Sequence, residues 1–176
     1  MYLPPFLDLR AGFSRYFEVV PAVTDALRDE VFRIRHDVYC GELGFEPVRE
    51  DGRETDAYDA HSIHCLLRAK ESGRFVGCIR LVRPDPAAPM ELLPVEKTCA
   101  TTIDRSIVDP LKLPRDRIAE VSRLAVIAAY RRRKTDKGSG ADFSEEDFGN
   151  EKQPRFPYIP VGLYLGMIAQ ASRAGI

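Results

Sequence analysis

The sequence predicts a single α/β (α+β) domain. Its 176 residues, 44% hydrophobic and 30% charged, suffice for one hydrophobic core of ordinary globular composition. Apolar residues at helical spacing are followed by two strand-like runs about a short turn, and a further strand-like run precedes a C-terminal helical segment. That order predicts an antiparallel meander leading into a central strand, with helices packed on the sheet.

The first elements are a short strand and a long helix. Tyr16 to Val20 is β-rich and ends at Pro21, and Thr24 is a good N-cap for a helix that reaches about Cys40. One helical stripe predicts the core face: Leu27, Val31, Ile34 and Val38. A second stripe, about a quarter turn away, either is a solvated flank or borders a cleft: Arg28, Phe32, Arg35 and Tyr39.

The remaining elements follow from turn residues and periodicity. Residues 41–60 are acidic and aperiodic, which predicts a loop, and a hairpin follows with strands at 62–70 and 74–83 around Glu71-Ser72-Gly73. Pro84 to Pro94 reads as a connector, and residues 98–113 are expected to be helical in part. Residues 117–130 give the strongest strand signal. A flexible insertion at 131–157 and a helix at 160–174 are expected to complete the chain, with Leu163, Met167, Ile168 and Ala171 on one helix face.

Composition excludes several function classes. A net charge of −1 gives no argument for nucleic acid as a partner. The four cysteines contain no C-x-x-C pair, and His61-x-x-His64 beside Asp59 is too small a set to indicate a metal site. No stretch has the pattern of a signal peptide or a transmembrane helix, so we expect a cytoplasmic protein without a transmembrane segment.

Five fragments place charged residues within or beside apolar patterns, where they cost free energy unless they are paired. They are Arg28-x-x-x-Phe32, Glu54-x-Asp56-x-x-Asp59, Gly77-x-x-Arg80-Leu81, Glu120-x-x-Arg123 and the apolar run from Leu124 to Ala129. Their order resembles the acyl-homoserine-lactone (autoinducer) synthases and the long-chain N-acyl amino acid synthases of the GNAT superfamily. The resemblance covers residues 24–130 and the C-terminal helix, and extends most closely to acyltransferases associated with PEP-CTERM/exosortase systems.

The resemblance implies a GNAT-like acyl-CoA N-acyltransferase fold with a mixed central sheet, and an ion-pair network that shapes the acceptor site. The residues that match are Arg28, Phe32, Glu54, Asp56, Asp59, Arg80, Glu120 and Arg123. Arg28, Arg35 and Arg80 are the cations available to neutralise the acidic loop. Autoinducer synthases carry a Trp after the phenylalanine, whereas this chain has Tyr39 or Phe45 and no Trp, which favours a different amino-acid acceptor.

Glu120 is the candidate general base, because it precedes the most apolar run of the chain and burial there would raise its pKa. Arg123 is its natural counter-charge, with Arg80 as a second catalytic-site cation. Residues three apart in a regular strand point to opposite faces, so a shared cleft requires a bulge. The alternative is a surface ion pair at a strand edge. Leu124 and Val126 are the expected contacts of the acyl chain.

A basic block follows the central strand: Arg131, Arg132, Arg133 and Lys134. The superfamily usually has a Gly-rich turn at that point that binds the pyrophosphate of coenzyme A, and this chain lacks it. The resemblance therefore implies acyl carrier protein as donor, with acyl-CoA as the alternative co-substrate and no bound cofactor. The block could equally be a solvated basic run. A short-chain acetyltransferase using acetyl-CoA and a non-catalytic GNAT-like module stay open as alternatives, and we expect the C-terminal strands of the fold to be lacking.

Overall fold

The computed structural model describes residues 9–131, 149–150, 153–154 and 159–176, with side chains described for 12–131 and 159–176. A four-stranded antiparallel sheet lies at its centre, in the order β1 (Phe17–Pro21), β2 (Ser62–Ala69), β3 (Phe75–Val82) and β4 (Glu120–Val126). The predicted meander is confirmed, although β4 is shorter than the 117–130 run that predicted it. All pairings of this sheet are antiparallel within the described residues, where a mixed sheet was expected.

The long helix changes pitch as it approaches the sheet. It begins as α2 (Asp25–Arg35), where the Thr24 hydroxyl accepts a hydrogen bond from the Leu27 N–H at 3.3 Å, and continues as a π-helix over His36–Glu42. The predicted N-cap is therefore confirmed, but the single α-helix to Cys40 is not. Because π-helical turns are frequent at functional sites, the change after Arg35 is informative.

Helices cover both faces of the sheet. On one face α2 packs against β2, β3 and β4, and this α2 face contains a small apolar cluster around Val31, Ile34, Leu66 and Cys78. On the opposite face lies α5 (Ile159–Arg173), which packs with α1 (Leu9–Tyr16) against the larger core. Strand alternation creates the two faces, since Cys78 and Arg80 point toward α2 while Ile79 and Leu81 point toward α5.

Residues 98–113 are helical in part, as expected, and one expectation about α5 needs correction. The connector contains α3 (Pro94–Thr98), which begins at a proline in the position where helices tolerate one, and a 3₁₀ turn at Pro110–Lys112, with turns between them. In α5 the side chains of Leu163 and Met167 are buried as expected, whereas Ile168 is 56% exposed. Its position falls one residue after Met167, which turns it by about 100° away from the core.

The connections match their turn residues where they are described. Gly73 adopts φ +69° in the β2–β3 hairpin, a conformation that glycine reaches without strain. After β4 comes a single turn of helix, α4 (Ala128–Arg131). Most of the expected insertion at 131–157 lies outside the described residues, and its described part is a ribbon of β5 (Gly149–Asn150) and β6 (Gln153–Pro154). Within the described residues, every helix is too short or too polar to cross a bilayer.

Candidate active site

Six charged side chains meet on the α2 face of the sheet, and we call them the charge network: Arg35, Arg80, Arg123, Glu54, Asp56 and Asp59. Three cations face three carboxylates, so the formal charges balance. Since an isolated buried charge is very costly, this balance is what allows the group to lie beside the apolar cluster.

Arg35 is the central residue of the charge network and is completely buried. Its guanidinium donates to the carboxylates of Glu54 and of Asp59, the latter at 2.6 Å. Burial would lower the pKa of Arg35, but the hydrogen bonds to Glu54 and Asp59 outweigh it and raise that pKa. Burial acts to raise the pKa of Asp59, yet the Arg35 guanidinium holds it below its ordinary value. Both groups are therefore charged in the folded protein at neutral pH.

Arg80 links the sheet to the acidic loop. Its Nη1 lies 2.6 Å from Asp56 and 2.7 Å from Asp59, and its Nε donates to the Ser122 hydroxyl at 3.1 Å. The predicted pairing of Arg80 with the two aspartates is confirmed. Arg80 is 2% exposed, so its guanidinium lies in a region that water hardly reaches.

Local sequence explains why the acidic loop presents its carboxylates. Asp56 caps a 3₁₀ turn at Ala57–His61, accepting from the Tyr58 N–H at 2.9 Å, while Asp59 accepts from the Asp56 N–H at 2.8 Å. This reciprocal capping box fixes both aspartates. Upstream, the Glu54 N–H donates to the Phe32 carbonyl at 3.1 Å, which anchors the loop to α2.

Arg123 reaches the charge network through a bulge in β4. Cys78 pairs with Ala125 and Arg80 pairs with Ser122, so two residues of β4, Arg123 and Leu124, oppose one residue of β3. Arg123 has φ +51°, a left-handed conformation rare for a residue with a Cβ. Its side chain turns to the α2 face, 3.3 Å from Glu54. The irregularity predicted from the Glu120–Arg123 spacing is confirmed.

Glu120 shares the α2 face with Arg80 but does not contact Arg123. It pairs with Val82 in the sheet, two positions from the Arg80–Ser122 pair, and one carboxylate oxygen accepts from the Val95 N–H at 2.7 Å. Burial raises the pKa of Glu120 above its ordinary value. Glu120 thus lies beside the charge network, held by α3, and its role as a base stays a prediction.

The structure corrects the first fragment of the predicted site. Arg28 is on the surface, where it pairs with Asp25 at 2.5 Å, and does not reach the charge network. Arg35-x-x-x-Tyr39 has the same spacing seven residues later, about two helical turns along one face, and its arginine is the buried one. Periodicity alone could not separate the two arginines, and Arg35 was predicted only as an available partner.

Aromatic side chains border the charge network. The Phe32 ring lies 5.5 Å from the Arg35 guanidinium carbon, so its predicted place beside the site is confirmed even though Arg28 is not its neighbour there. The Tyr39 hydroxyl donates to the Leu124 carbonyl at 2.8 Å, next to the bulge, and the Arg123 guanidinium carbon lies 5.7 Å from the Tyr39 ring centre. Tyr39 therefore holds the bulge against the π-helix.

The predicted acyl-chain contacts lie on the other face of the sheet. Val126 is buried within the core beneath α5, and Leu124 packs against the same core. The structure thus separates them from the charge network by the thickness of the sheet, and their contact with an acyl chain stays a prediction.

The basic block is only partly described. Arg131 pairs with Glu42 at 2.8 Å, and the second oxygen of Glu42 accepts from the Ala128 N–H at 3.1 Å. Arg131 is therefore engaged within the protein rather than presented as an unpaired cation. Arg132 and Arg133 lie outside the described residues.

His64 is buried beside the charge network. Its ring packs edge-on to Phe32, and burial lowers its pKa. Its Nε2 lies 3.4 Å from the Asp59 carbonyl, while its Nδ1 has no hydrogen-bond partner among the described residues. No group of three or more histidine, cysteine or acidic side chains in the described part of the chain is arranged to hold a metal ion.

The family model for the acetyltransferase (GNAT) domain matches residues 34–139, more than half of the chain. The chain belongs to the GNAT acetyltransferase domain family. The matched region contains the charge network and Glu120.

Two similar proteins are acyl-homoserine-lactone synthases. The enzyme of Vibrio anguillarum is 31% identical over 70 residues, which cover 40% of this chain and 35% of that protein. A solved CoA-dependent acyl-homoserine lactone synthase, with SAM and isopentyl-CoA, matches at 30% identity and a TM-score of 0.42, covering 66% of this chain and 53% of that one. The chain thus spans between a third and about half of the length of these two relatives.

Proposed function

We propose that this GNAT domain transfers a fatty acyl group from a thioester of acyl carrier protein, or of coenzyme A, to the amine of an amino acid or related acceptor. One observation carries the proposal. Within the charge network only Arg123 and Asp56 are substantially exposed, at 28% and 24%, whereas the other four side chains are at most 9% exposed. Solvent therefore reaches one cation and one anion, side by side.

That pair suits a zwitterionic acceptor. Arg123 lies 3.3–3.4 Å from its partners Glu46, Glu54 and Asp56, longer than the 2.6 Å contacts of Arg35 and Arg80, so it is the most loosely held cation of the network. The carboxylate of an amino acid can bind the Arg123 guanidinium through charge-assisted hydrogen bonds. Its ammonium group would then lie toward Asp56 and Glu46.

Acyl transfer requires the acceptor amine to lose a proton. The neutral nitrogen attacks the thioester carbonyl, a C–N bond forms, the C–S bond breaks, and the carrier's thiol leaves. In this proposal Glu120 takes the proton, directly or through water. Two observations support that role: its carboxylate lies on the same sheet face as Arg80, and burial raises its pKa above the ordinary value. We expect Glu120→Gln to lower kcat by about 10²–10⁴-fold.

The acceptor is tested by steady-state kinetics with amino acids and with the matching amines that lack the carboxylate. Arg123→Gln should raise KM for the amino acids and leave KM for the amines nearly unchanged, because only the former have the anion that Arg123 binds. Arg117→Gln, an exposed arginine outside the charge network, is the matched control. Equal effects of Arg123→Gln on both classes would contradict the proposed acceptor.

The donor is tested by comparing long-chain acyl carrier protein, long-chain acyl-CoA and acetyl-CoA. We expect the long-chain carrier protein to be the best substrate. Replacing Arg131, Arg132 and Arg133 with Ala should raise its KM in a salt-sensitive way, since rim charges act mainly on encounter rates. Efficient acetyl-CoA turnover that is unchanged by the three substitutions would instead favour the short-chain acetyltransferase. Acceptor binding without turnover of any donor would favour a non-catalytic module.

A further inference from the structure

The connector between β3 and β4 contains a buried ion pair that the proposed reaction does not use. Glu96 is 3% exposed, and its two carboxylate oxygens accept from Nη1 and Nη2 of Arg115, both at 2.9 Å. The same carboxylate also accepts from the Leu93 N–H at 2.7 Å. A bidentate pair with Glu96 buried and Arg115 only 10% exposed is unexpected in a connector with many exposed side chains, since taking two charges out of water is costly.

The pair joins the two ends of the connector. Besides Glu96, the Arg115 guanidinium donates to the carbonyls of Glu91 at 2.7 Å and Pro89 at 3.4 Å. Arg115 therefore ties residues 89–96, which include the start of α3, to the segment that leads directly into β4. Glu120, the first residue of β4, follows five positions after Arg115.

Helix α3 directs a backbone N–H at Glu120. Val95 N–H donates to one oxygen of the Glu120 carboxylate at 2.7 Å. The other oxygen has no hydrogen-bond partner among the described residues. Since Val95 is adjacent to Glu96 in sequence, a pair that fixes Glu96 also fixes this N–H.

We propose that Glu96 and Arg115 are positioning residues for Glu120. The pair holds α3 so that the Val95 N–H fixes one carboxylate oxygen and the second oxygen stays available to the acceptor amine. Without it, the carboxylate would lose the Val95 N–H, a hydrogen bond that stabilises its ionised form, and would no longer be held in one orientation toward the acceptor. This inference rests on the proposed role of Glu120.

The contact itself is measured by NMR, without reference to activity. In the unmodified protein the Val95 amide proton should shift with pH as the Glu120 carboxyl titrates, and this shift should disappear in Glu120→Gln. In Glu96→Gln, which keeps the size of the side chain, we expect the amplitude of the Val95 shift to fall by at least half. Glu91→Gln makes the same charge change on an exposed residue of the same segment and should leave it unchanged.

Activity gives the second readout. Arg115→Gln leaves Glu96 as an unpaired negative charge near Glu120 and loosens the Val95 hydrogen bond, and both effects disfavour the ionised carboxylate. The acid limb of the kcat/KM profile should therefore move to higher pH, on the order of half a pH unit. In Glu96→Gln the two effects oppose each other, so the limb should move less. Arg117→Gln should not move it.

The outcomes separate this inference from the proposed function. If the Val95 amide of Glu96→Gln still shifts with full amplitude, the positioning role is overturned. It is also overturned if Arg115→Gln loses stability while the acid limb of its kcat/KM profile stays where it is. If Arg115→Gln does not fold, Glu96→Gln decides alone. An active Glu120→Gln would instead overturn Glu120 as base, while the amide titration would still decide whether the pair holds the contact.

Discussion

The two faces of the sheet both bury large side chains, but these side chains are chemically opposite. On the α5 face, Ile79 packs with Leu163 and Met167, all with no exposed surface. On the α2 face, its neighbour Arg80 is 2% exposed and lies among carboxylates. One strand therefore buries hydrocarbon on one side and a guanidinium on the other. Apolar contacts depend mainly on volume and shape, whereas each buried charge depends on the identity of its partner.

That difference separates what stabilises the fold from what the site requires. Apolar burial supplies most of the stabilising free energy of a domain, while a buried ion network commonly adds no more than a well-packed hydrophobic set would. The residues of the α2 face also include a strained backbone at Arg123 and a buried Nδ1 of His64 that lacks a partner among the described residues. Costs of this kind concentrate at functional sites.

The largest expected effect comes from a substitution that removes the charge balance of the α2 face. Arg35→Met leaves Glu54 and Asp59 buried without their main cation, and we expect the free energy of unfolding to fall by about 3–5 kcal/mol in urea titrations. Arg28→Met removes the same charge two turns earlier on the same helix, where the side chain is 40% exposed. That control should change stability by less than about 0.5 kcal/mol. Similar losses in both variants would contradict the assignment of Arg35 to the charge network.

The Arg28–Arg35 pair also shows where prediction from sequence reaches its limit. Both arginines precede an aromatic residue by four positions and share a helix face, so spacing could not decide between them. What decides is three-dimensional: the π-helix and the acidic loop meet Arg35. In the folded chain Arg35 lies between two buried residues of the helical stripe, Ile34 and Val38, whereas Arg28 follows Leu27, which is only partly buried.

The bulge in β4 was predictable for a geometric reason. Strand pleating cannot place residues three apart on one face, so a shared site for Glu120 and Arg123 demanded an extra residue between them. The meander was predictable from apolar runs around Gly73. Two other contacts were not predictable: the hydrogen bond from Val95 to Glu120, and the ion pair of Glu96 with Arg115. They join segments whose sequence has no apolar periodicity, so only the folded chain reveals them.

The α5 face should respond to lost volume rather than lost charge. Leu163→Ala removes a fully buried side chain at the contact between α5 and the sheet, and we expect a loss of about 2–5 kcal/mol from the free energy of unfolding. Leu165→Ala, in the same helix but 57% exposed, should cost less than about 0.5 kcal/mol. Leu163→Met, which nearly conserves volume, should cost less than about 1.5 kcal/mol. Any conservative replacement of Arg35 should cost more than Leu163→Met does.

A smaller effect isolates the backbone of the bulge. Arg123→Gly and Arg123→Ala lose the same ionic contacts, so their difference reports only the left-handed conformation at φ +51°. We expect the glycine variant to be more stable by about 1–2 kcal/mol, because a Cβ is costly there. At Val121, in the regular part of β4, the order should reverse, and the alanine variant should be more stable than the glycine variant by about 0.5–1 kcal/mol. The same order at both positions would mean that the bulge is not held as described.

The smallest effect concerns pH and the buried His64. Burial lowers the pKa of His64 in the folded protein, so below its ordinary value of about 6.5 the unfolded chain binds a proton that the folded chain does not. Stability should therefore fall as pH decreases from 7 toward the folded-state pKa.

Glu120 contributes to the pH dependence of stability with the opposite sign, since its raised pKa makes the folded chain bind the proton first. Asp59 contributes only at lower pH, because its pKa is lowered. Unfolding by urea at each pH between 5 and 7.5, in a Glu120→Gln background, separates these groups. His64→Gln should flatten the slope in that window and His61→Gln should keep it. An unchanged slope in His64→Gln would show that the pKa of His64 is the same in the folded and unfolded chains. A steeper slope would show that the pKa is raised on folding, and that the carboxylates of the α2 face stabilise a fourth buried cation.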